Sequence, residues 1–246
     1  MRIVTMVPII KIFPSLDPLT GFLVSRISDQ LAGKAPGQYY SIALSGGSTP
    51  KGIFKLIAEK YKKEINWSRV AFFWGDERCV PPSDDESNYR MTYENLLMPL
   101  NIHELNFCRI IGENDPGSEA TRYSDKVAAL LPQVNNIPQF DLIMLGLGED
   151  GHTASIFPYN IGLFNSDKLF KTSEHPVTKQ IRITATGKLI NNAREVCFLV
   201  TGSGKAGKVA QILQKKEGWE ALPASRVDPA GGQVIWLLDE AAGSGL

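Results

Sequence analysis

The chain has 246 residues, is 43% hydrophobic, and carries 26 Lys+Arg against 26 Asp+Glu, a formal charge of zero. That content suffices to bury the core of one large α/β domain, and the charge balance argues against a nucleic-acid or membrane-surface protein. No run of 18 apolar residues exists, so no membrane span is expected, and Cys79, Cys108 and Cys197 are too few and too scattered for a disulfide framework, which suggests a reducing, cytoplasmic setting.

The opening MRIVTMVPIIKIFP reads as a lead-in to a first strand, Ile9 to Phe13, and not as a signal peptide, because Pro8 and Lys11 interrupt its apolar run. Asp17-Pro18 suggests an N-cap followed by proline, and Leu19, Phe22, Leu23, Ile27 and Leu31 recur at helical spacing up to Gly33. Tyr39 to Leu44 is the next strand, ending in SGGSTP. A helix beginning at Pro50 follows, with Ile53, Phe54, Ile57 and Ala58 inward. Val70 to Trp74 is a third strand ending in Gly75-Asp76-Glu77-Arg78. Val80 to Ser87 is a Pro- and Asp-rich loop suited to lie over a cleft, and Asn88 to Leu97 reads as a helix. Phe107 to Ile111 is expected as a short strand. Asp115-Pro116 starts a helix on which Ala120, Tyr123, Val127, Leu130 and Leu131 share a face. Leu142 to Leu145, with Leu147, form an uncharged run suited to a strand buried on both faces. Ile181 to Thr184 alternates like a strand, Val196 to Val200 is a buried one followed by a helix over Ala206 to Gln214, and Val234 to Leu238 is the last, closing into a short helix after Asp239. Alternating strands and helices imply an α/β fold: a mostly parallel, doubly wound sheet with helices on both faces, in one domain spanning 1–246.

Polar clusters stand at four strand ends: Ser45 to Thr49, Asp76 to Arg78, Asp150 to His152, and Thr201 to Lys205. Parallel strands bring such ends to one edge, where ligands of open α/β sheets bind. In SGGSTP, Gly46 and Gly47 admit an anion close to the backbone, Ser45, Ser48 and Thr49 add hydroxyls, and the following helix presents free N–H groups. Alone, the hexapeptide reads rather as a tight turn with a helix cap. It is neither a Walker loop nor a dinucleotide fingerprint. Lys205, after the glycines of TGSGKAGK, and Arg182, in an apolar strand, can each supply a full charge to an anion, with surface salt-bridging as the alternative. Arg78 can stabilise an oxyanion and Asp76 can orient a base or bind sugar hydroxyls, or both belong to a loop ion pair. Asp150 and His152 on a glycine-rich turn leaving a buried strand form a carboxylate–imidazole site, or else a helix cap with a packed ring. His103 and His175 lack a polar context and read as surface or packing residues. Only three His are present and no ligand spacing appears, so no metal is expected. Cys79 follows Arg78, which could lower its pKa, but a lone thiol is more often inert. There is no GxSxG elbow for a serine hydrolase.

On ALSGGSTPKGIF, FFWGDERCVPPSDDESNY, FDLIMLGLGEDGHTASIFP, TGSGKA and WLLDEAA, the chain resembles the 6-phosphogluconolactonase family over nearly its whole length. The resemblance implies a Rossmann-like fold shared with glucosamine-6-phosphate deaminases, ribose-5-phosphate isomerases and CoA transferases. It implies hydrolysis of 6-phosphoglucono-1,5-lactone in the oxidative pentose phosphate pathway, with no metal. The expected partner is a small sugar-phosphate lactone, with no cofactor, nucleic acid or membrane, and the chain is expected to act as a monomer or weak homo-oligomer. By the same resemblance His152 is the general base, Asp150 orients it, Arg78 steadies negative charge, and Asp76 fixes the sugar. Ser45, Gly46, Gly47, Ser48, Thr49, Arg182 and Lys205 match the phosphate-binding elements. The related deaminases carry a Glu before the proline where this chain has Phe157-Pro158, and tend to have Tyr where it has Arg78. Both departures favour lactone hydrolysis. A non-catalytic sugar-phosphate sensor would keep the phosphate loop but need not keep Asp150 and His152.

Overall fold

A computed structural model describes residues 7–246. The first six residues of the opening segment, expected to lead into the first strand, lie outside the described residues. β1 (Ile9–Phe13) leads into α1 (Leu16–Ala32), whose buried Leu19, Leu23, Val24, Ile27 and Leu31 make one inward stripe. β2 (Tyr40–Leu44) is buried at every residue and feeds α2 (Ser48–Leu56), which runs on as a π-helical turn at Ile57–Tyr61. β3 (Val70–Trp74) and β4 (Asp76–Arg78) are separated only by Gly75. α3 (Asn88–Thr92), extended by a π turn at Tyr93–Leu97, and α4 (Pro116–Leu130) come next. A hairpin of β5 (Gln133–Val134) and β6 (Ile137–Pro138) turns on Asn135 and Asn136, both at positive φ, before β7 (Leu142–Leu145). The remaining elements are β8 (Phe170–Glu174), β9 (Ile181–Ala185), α5 (Gly187–Ile190), β10 (Glu195–Val200), α6 (Ala206–Leu213), β11 (Gln233–Asp239) and α7 (Glu240–Gly243).

Apart from the β5–β6 hairpin, the strands form two sheets. Six pair in parallel, in the order β1-β11-β10-β7-β2-β3. The central β2, β7 and β10 have no exposed residue, as a parallel sheet covered on both faces requires. The strand order reverses between β2 and β7, which opens a crevice beyond their carboxyl ends. β4, β9 and β8 form a second, antiparallel sheet with Arg78 directly opposite Arg182. Gly75 joins the sheets: its N–H donates to Leu44 O at 2.9 Å, and its carbonyl accepts from Ala185 N–H at 2.7 Å. Phe170 and Ile183 of the second sheet share one buried cluster with Phe198 and Trp236 of the first. Among the described residues no helix is long and apolar enough to cross a membrane.

Several expectations are corrected. Phe107 to Ile111 is not a strand: Phe107 makes a single bridge to Phe72, and Ile111 N–H is captured by the Glu119 carboxylate at 2.7 Å, which turns the segment off the sheet. Ser15 holds the N-cap position of α1, without a side-chain capping bond; Asp17 sits inside its first turn, ion-paired to Lys60 at 2.5 Å. α2 begins at Ser48, not Pro50, because Gly47 at φ 102° already turns the chain into the helix. Leu130 is 59% exposed, since the chain leaves the helix at Leu131 and buries that side chain instead. Asp76 to Arg78 is a strand of the second sheet and not a loose strand end.

Candidate active site

Two loops of like construction bound one side of the crevice. After β2, Ser45 and Gly46 precede Gly47 at φ 102° and the N-terminus of α2. After β10, Thr201 precedes Gly202 at φ 94° and a 3-10 turn, Ser203–Lys205, that opens α6. In each, glycine takes a backbone conformation other residues resist, and a helix N-terminus is left facing the crevice. Thr49 and Thr201 share a hydrogen bond at 2.6 Å, tying the loops together. A Cβ on Gly46 would fall 1.8 Å from Asn88 Oδ1, so only glycine fits there. Gly202 N–H donates to both oxygens of Asp239 at 3.0 Å, while Asp239 Oδ1 also accepts Ala242 N–H at 2.7 Å and caps α7. Sequence reasoning gave Asp239 no role, although an acid between a buried strand and a short helix is a capping signal.

β7 ends in the turn that carries His152. Gly148 N–H donates to His152 O at 2.8 Å and Gly151 sits at φ 84°, folding the chain back on itself. Asp150 Oδ1 lies 2.6 Å from His152 Nδ1 and accepts His152 N–H at 3.1 Å. A Cβ on Gly148 would stand 2.1 Å from that Nδ1, so glycine makes room for the pair. Partial burial pushes the Asp150 carboxyl up, but the hydrogen bond and charge of His152 outweigh it and bring it to about 2. The carboxylate therefore stays ionised, Nδ1 carries the proton it donates, and Nε2 is left for other chemistry. The imidazole rests on Phe157, ring centroids 4.7 Å apart.

The second sheet forms the opposite wall. The buried Asp76 accepts a hydrogen bond from Ser155 Oγ at 2.7 Å. Arg78 Nη1 donates to Glu86 O at 2.7 Å, and its buried Nε has no partner among the described residues. Arg182 Nε donates to Gln180 Oε1 at 3.3 Å and its guanidinium lies 5.8 Å from the Phe157 ring centre. Burial, then the Arg78 charge, pull the Arg182 guanidinium below its ordinary pKa. Among the described residues no carboxylate pairs with Arg78, Arg182 or Lys205. Unneutralised, partly desolvated cations facing a cleft are suited to an anionic ligand. Glu77, 2% exposed, was not singled out. Its carboxylate accepts the backbone N–H groups of Arg78, Asn88 and Tyr89 at 2.7–2.8 Å and Ser87 Oγ at 3.2 Å. Burial pushes it up to about 7 despite those donors.

These walls enclose a cleft of about 220 Å³. Ser45, Gly46, Gly47, Ser48, Thr49, Asp76, Arg78, His152, Arg182 and Lys205 all line it, together with Asn88 and Thr201. Asp150 does not; it stands behind His152. A larger recess of about 550 Å³, at the other end of β2 and β3, contains none of the predicted residues. His103 Nδ1 accepts Leu105 N–H at 3.2 Å, and His175 packs edge-on against Phe157 at 5.3 Å, nearer the cleft than its sequence context suggests. Arg78 does not lower Cys79: burial pushes that thiol up to about 11. Among the described residues no group of three or more His, Cys, Asp or Glu is placed to hold a metal.

Comparison with known proteins is consistent with this geometry. The family described as glucosamine-6-phosphate isomerases/6-phosphogluconolactonase matches residues 16–236. The 6-phosphogluconolactonase of Treponema pallidum (strain Nichols) is 43% identical over 227 residues, covering 92% of this chain and 93% of that protein. The structure of the 6-phosphogluconolactonase from Trypanosoma cruzi superposes with a TM-score of 0.86 at 30% identity, over 100% of this chain and 99% of that one. A monomeric glucosamine-6-phosphate deaminase shares the fold, with a TM-score of 0.79 at 20% identity over 97% of this chain and 100% of that one.

Proposed function

The chain belongs to the glucosamine-6-phosphate isomerase/6-phosphogluconolactonase family, and from that premise we propose that it hydrolyses 6-phospho-D-glucono-1,5-lactone to 6-phospho-D-gluconate in the oxidative pentose phosphate pathway. The observation that carries this reading is the convergence, in one cleft, of a carboxylate-oriented imidazole with two helix N-termini and three cations that lack carboxylate partners among the described residues.

His152 Nε2 takes a proton from water as the oxygen attacks the lactone carbonyl carbon. Arg78 steadies the negative charge that develops on the carbonyl oxygen. The bond from that carbon to the ring oxygen then breaks, and the imidazolium returns the proton to the departing ring oxygen. The new carboxylic acid ionises in solution, so each turnover releases one proton. Asp150, held ionised at about 2, favours the imidazolium formed midway. The loops at Ser45–Thr49 and Thr201–Lys205, with Arg182, grip the 6-phosphate, and Asp76 fixes a sugar hydroxyl. Binding the phosphate positions the reacting carbon. The reaction as written consumes only lactone and water. Phe157 offers no carboxylate for sugar ring opening, which favours hydrolysis over the deaminase alternative. The three unpaired cysteines fit a cytoplasmic setting, and we assign the protein to one domain over 1–246, acting as a monomer or weak homo-oligomer.

The test is proton release on addition of freshly prepared 6-phosphogluconolactone, against the spontaneous rate, with glucosamine 6-phosphate and ammonia detection in parallel. Proton release that scales with protein, without ammonia, is expected. Ammonia without accelerated lactone hydrolysis overturns the assignment.

A further inference from the structure

Phe157 is 1% exposed, yet its ring stands outside the contiguous hydrophobic core, which includes the adjacent Ile156. Its neighbours carry polar groups. His152 lies 4.7 Å away at 48°, His175 at 5.3 Å edge-on, Tyr159 at 6.1 Å nearly parallel, and the Arg182 guanidinium at 5.8 Å from the ring centre. Of these, His152 and Arg182 line the cleft. The backbone beneath the ring is tied down. Phe157 N–H donates to Asn160 Oδ1 at 2.7 Å, Asn160 Nδ2 to Ser173 Oγ at 2.8 Å, and Ser173 Oγ to Ser155 O at 2.6 Å.

That placement has two physical consequences. Asp150 grips one edge of the His152 imidazole but leaves the tilt of its plane free, and an immobile ring packed against it at 48° restrains that tilt. Arg182 needs support where it is half-buried. A carboxylate would supply support but would cancel the charge and compete with an anionic ligand. The face of an aromatic ring attracts a guanidinium without neutralising it. We propose that Phe157 is a positioning residue shared by the two sides of the site: it fixes the plane of the His152 imidazole and carries the Arg182 guanidinium with its charge still available. This rests on the reading of His152 as the base and Arg182 as a phosphate contact.

The test is steady-state lactonase kinetics and thermal unfolding of Phe157→Leu and Phe157→Tyr beside wild type and His152→Ala. Loss of the ring is expected to lower kcat by about tenfold or more, the order of effect of a small misplacement of a reacting group, and to raise KM severalfold. Phe157→Tyr keeps the ring and is expected to restore most of both. Wild-type kcat and KM in Phe157→Leu, with only a lower melting temperature, would reduce the ring to packing and overturn the proposal. If Phe157→Leu does not fold, Tyr159→Ala, at a side chain 60% exposed and measured against Tyr159→Phe, removes the outer support of the ring; the bond from the Tyr159 hydroxyl to Glu174 O is lost from both variants. A severalfold fall in kcat is expected there, and an unchanged kcat overturns the proposal. An active His152→Ala removes the base assignment and this inference with it; an inactive His152→Ala beside a wild-type Phe157→Leu removes the inference alone.

Discussion

A histidine and an aspartate two residues apart ordinarily diverge into solvent. Here Gly148 leaves a gap where a Cβ would collide with both, and the turn folds the imidazole onto the carboxylate. His152→Ala is therefore expected to abolish lactone turnover while product binding, measured calorimetrically, stays nearly intact; retention of most of the rate would remove His152 from the base role. Glu77 bears on stability instead. Its pKa rises from an ordinary 4.5 to about 7 through burial. Between those values the folded chain holds a proton that the unfolded chain has released. Its contribution is thus full below pH 4.5 and is lost as pH rises toward 7, at up to about 1.4 kcal/mol per pH unit. His175, lowered by burial and then by the Arg182 charge, acts in the opposite sense just below 6.5. Urea unfolding of wild type and Glu77→Gln isolates the first effect: the stability difference, wild type minus variant, should shrink from pH 5 to pH 7. A flat or growing difference contradicts it.

At the scale of elements, the cleft is lined mainly by the loops and helix starts at the carboxyl ends of strands. The N-terminus of α2 supplies N–H groups and partial charge, and Lys205, at the N-cap of α6, and Arg182 supply whole charges. Lys205→Ala or Arg182→Ala is expected to raise KM by about ten- to a hundredfold, the loss of a charge-assisted contact of about 1.5–3 kcal/mol, with a smaller change in kcat. A defect confined to kcat would move that residue from the phosphate to the reacting end. The parallel sheet was legible because β7 is wholly apolar and β2 and β10 are apolar but for Ser41 and Glu195, and both anion-binding loops were legible because glycines stand between such a strand and a helix. The second sheet was not. β4 has three residues, all charged, and β8 reads FKTSE with only Phe170 and Ser173 buried. Neither shows a period: β4 exists because β9 pairs with it from far along the chain, and β8 because β9 turns back onto it a few residues later. The same non-locality hid Glu77, whose donors at Ser87, Asn88 and Tyr89 come together only once the loop closes.

At the scale of the whole molecule, a ligand in this cleft touches segments that come after β2, β7 and β10 of one sheet and the side chains of β4 and β9 of the other. The sheets are joined covalently at Gly75 and through a shared buried cluster. A molecule built this way should unfold as one unit, and a ligand that spans both sheets should stabilise all of it. For a ligand binding only the folded chain, a concentration of 100 Kd adds about 2.7 kcal/mol. In a protein of this size that corresponds to a rise in melting temperature of roughly 5–10 °C. Calorimetry with 6-phosphogluconate at that excess should show one transition before and after, displaced as a whole. Lys205→Ala, at the same ligand concentration, should show a smaller displacement because its Kd is weaker. Two transitions of which only one moves would mean that the second sheet unfolds by itself, and would count against both the single domain and a ligand held between the sheets.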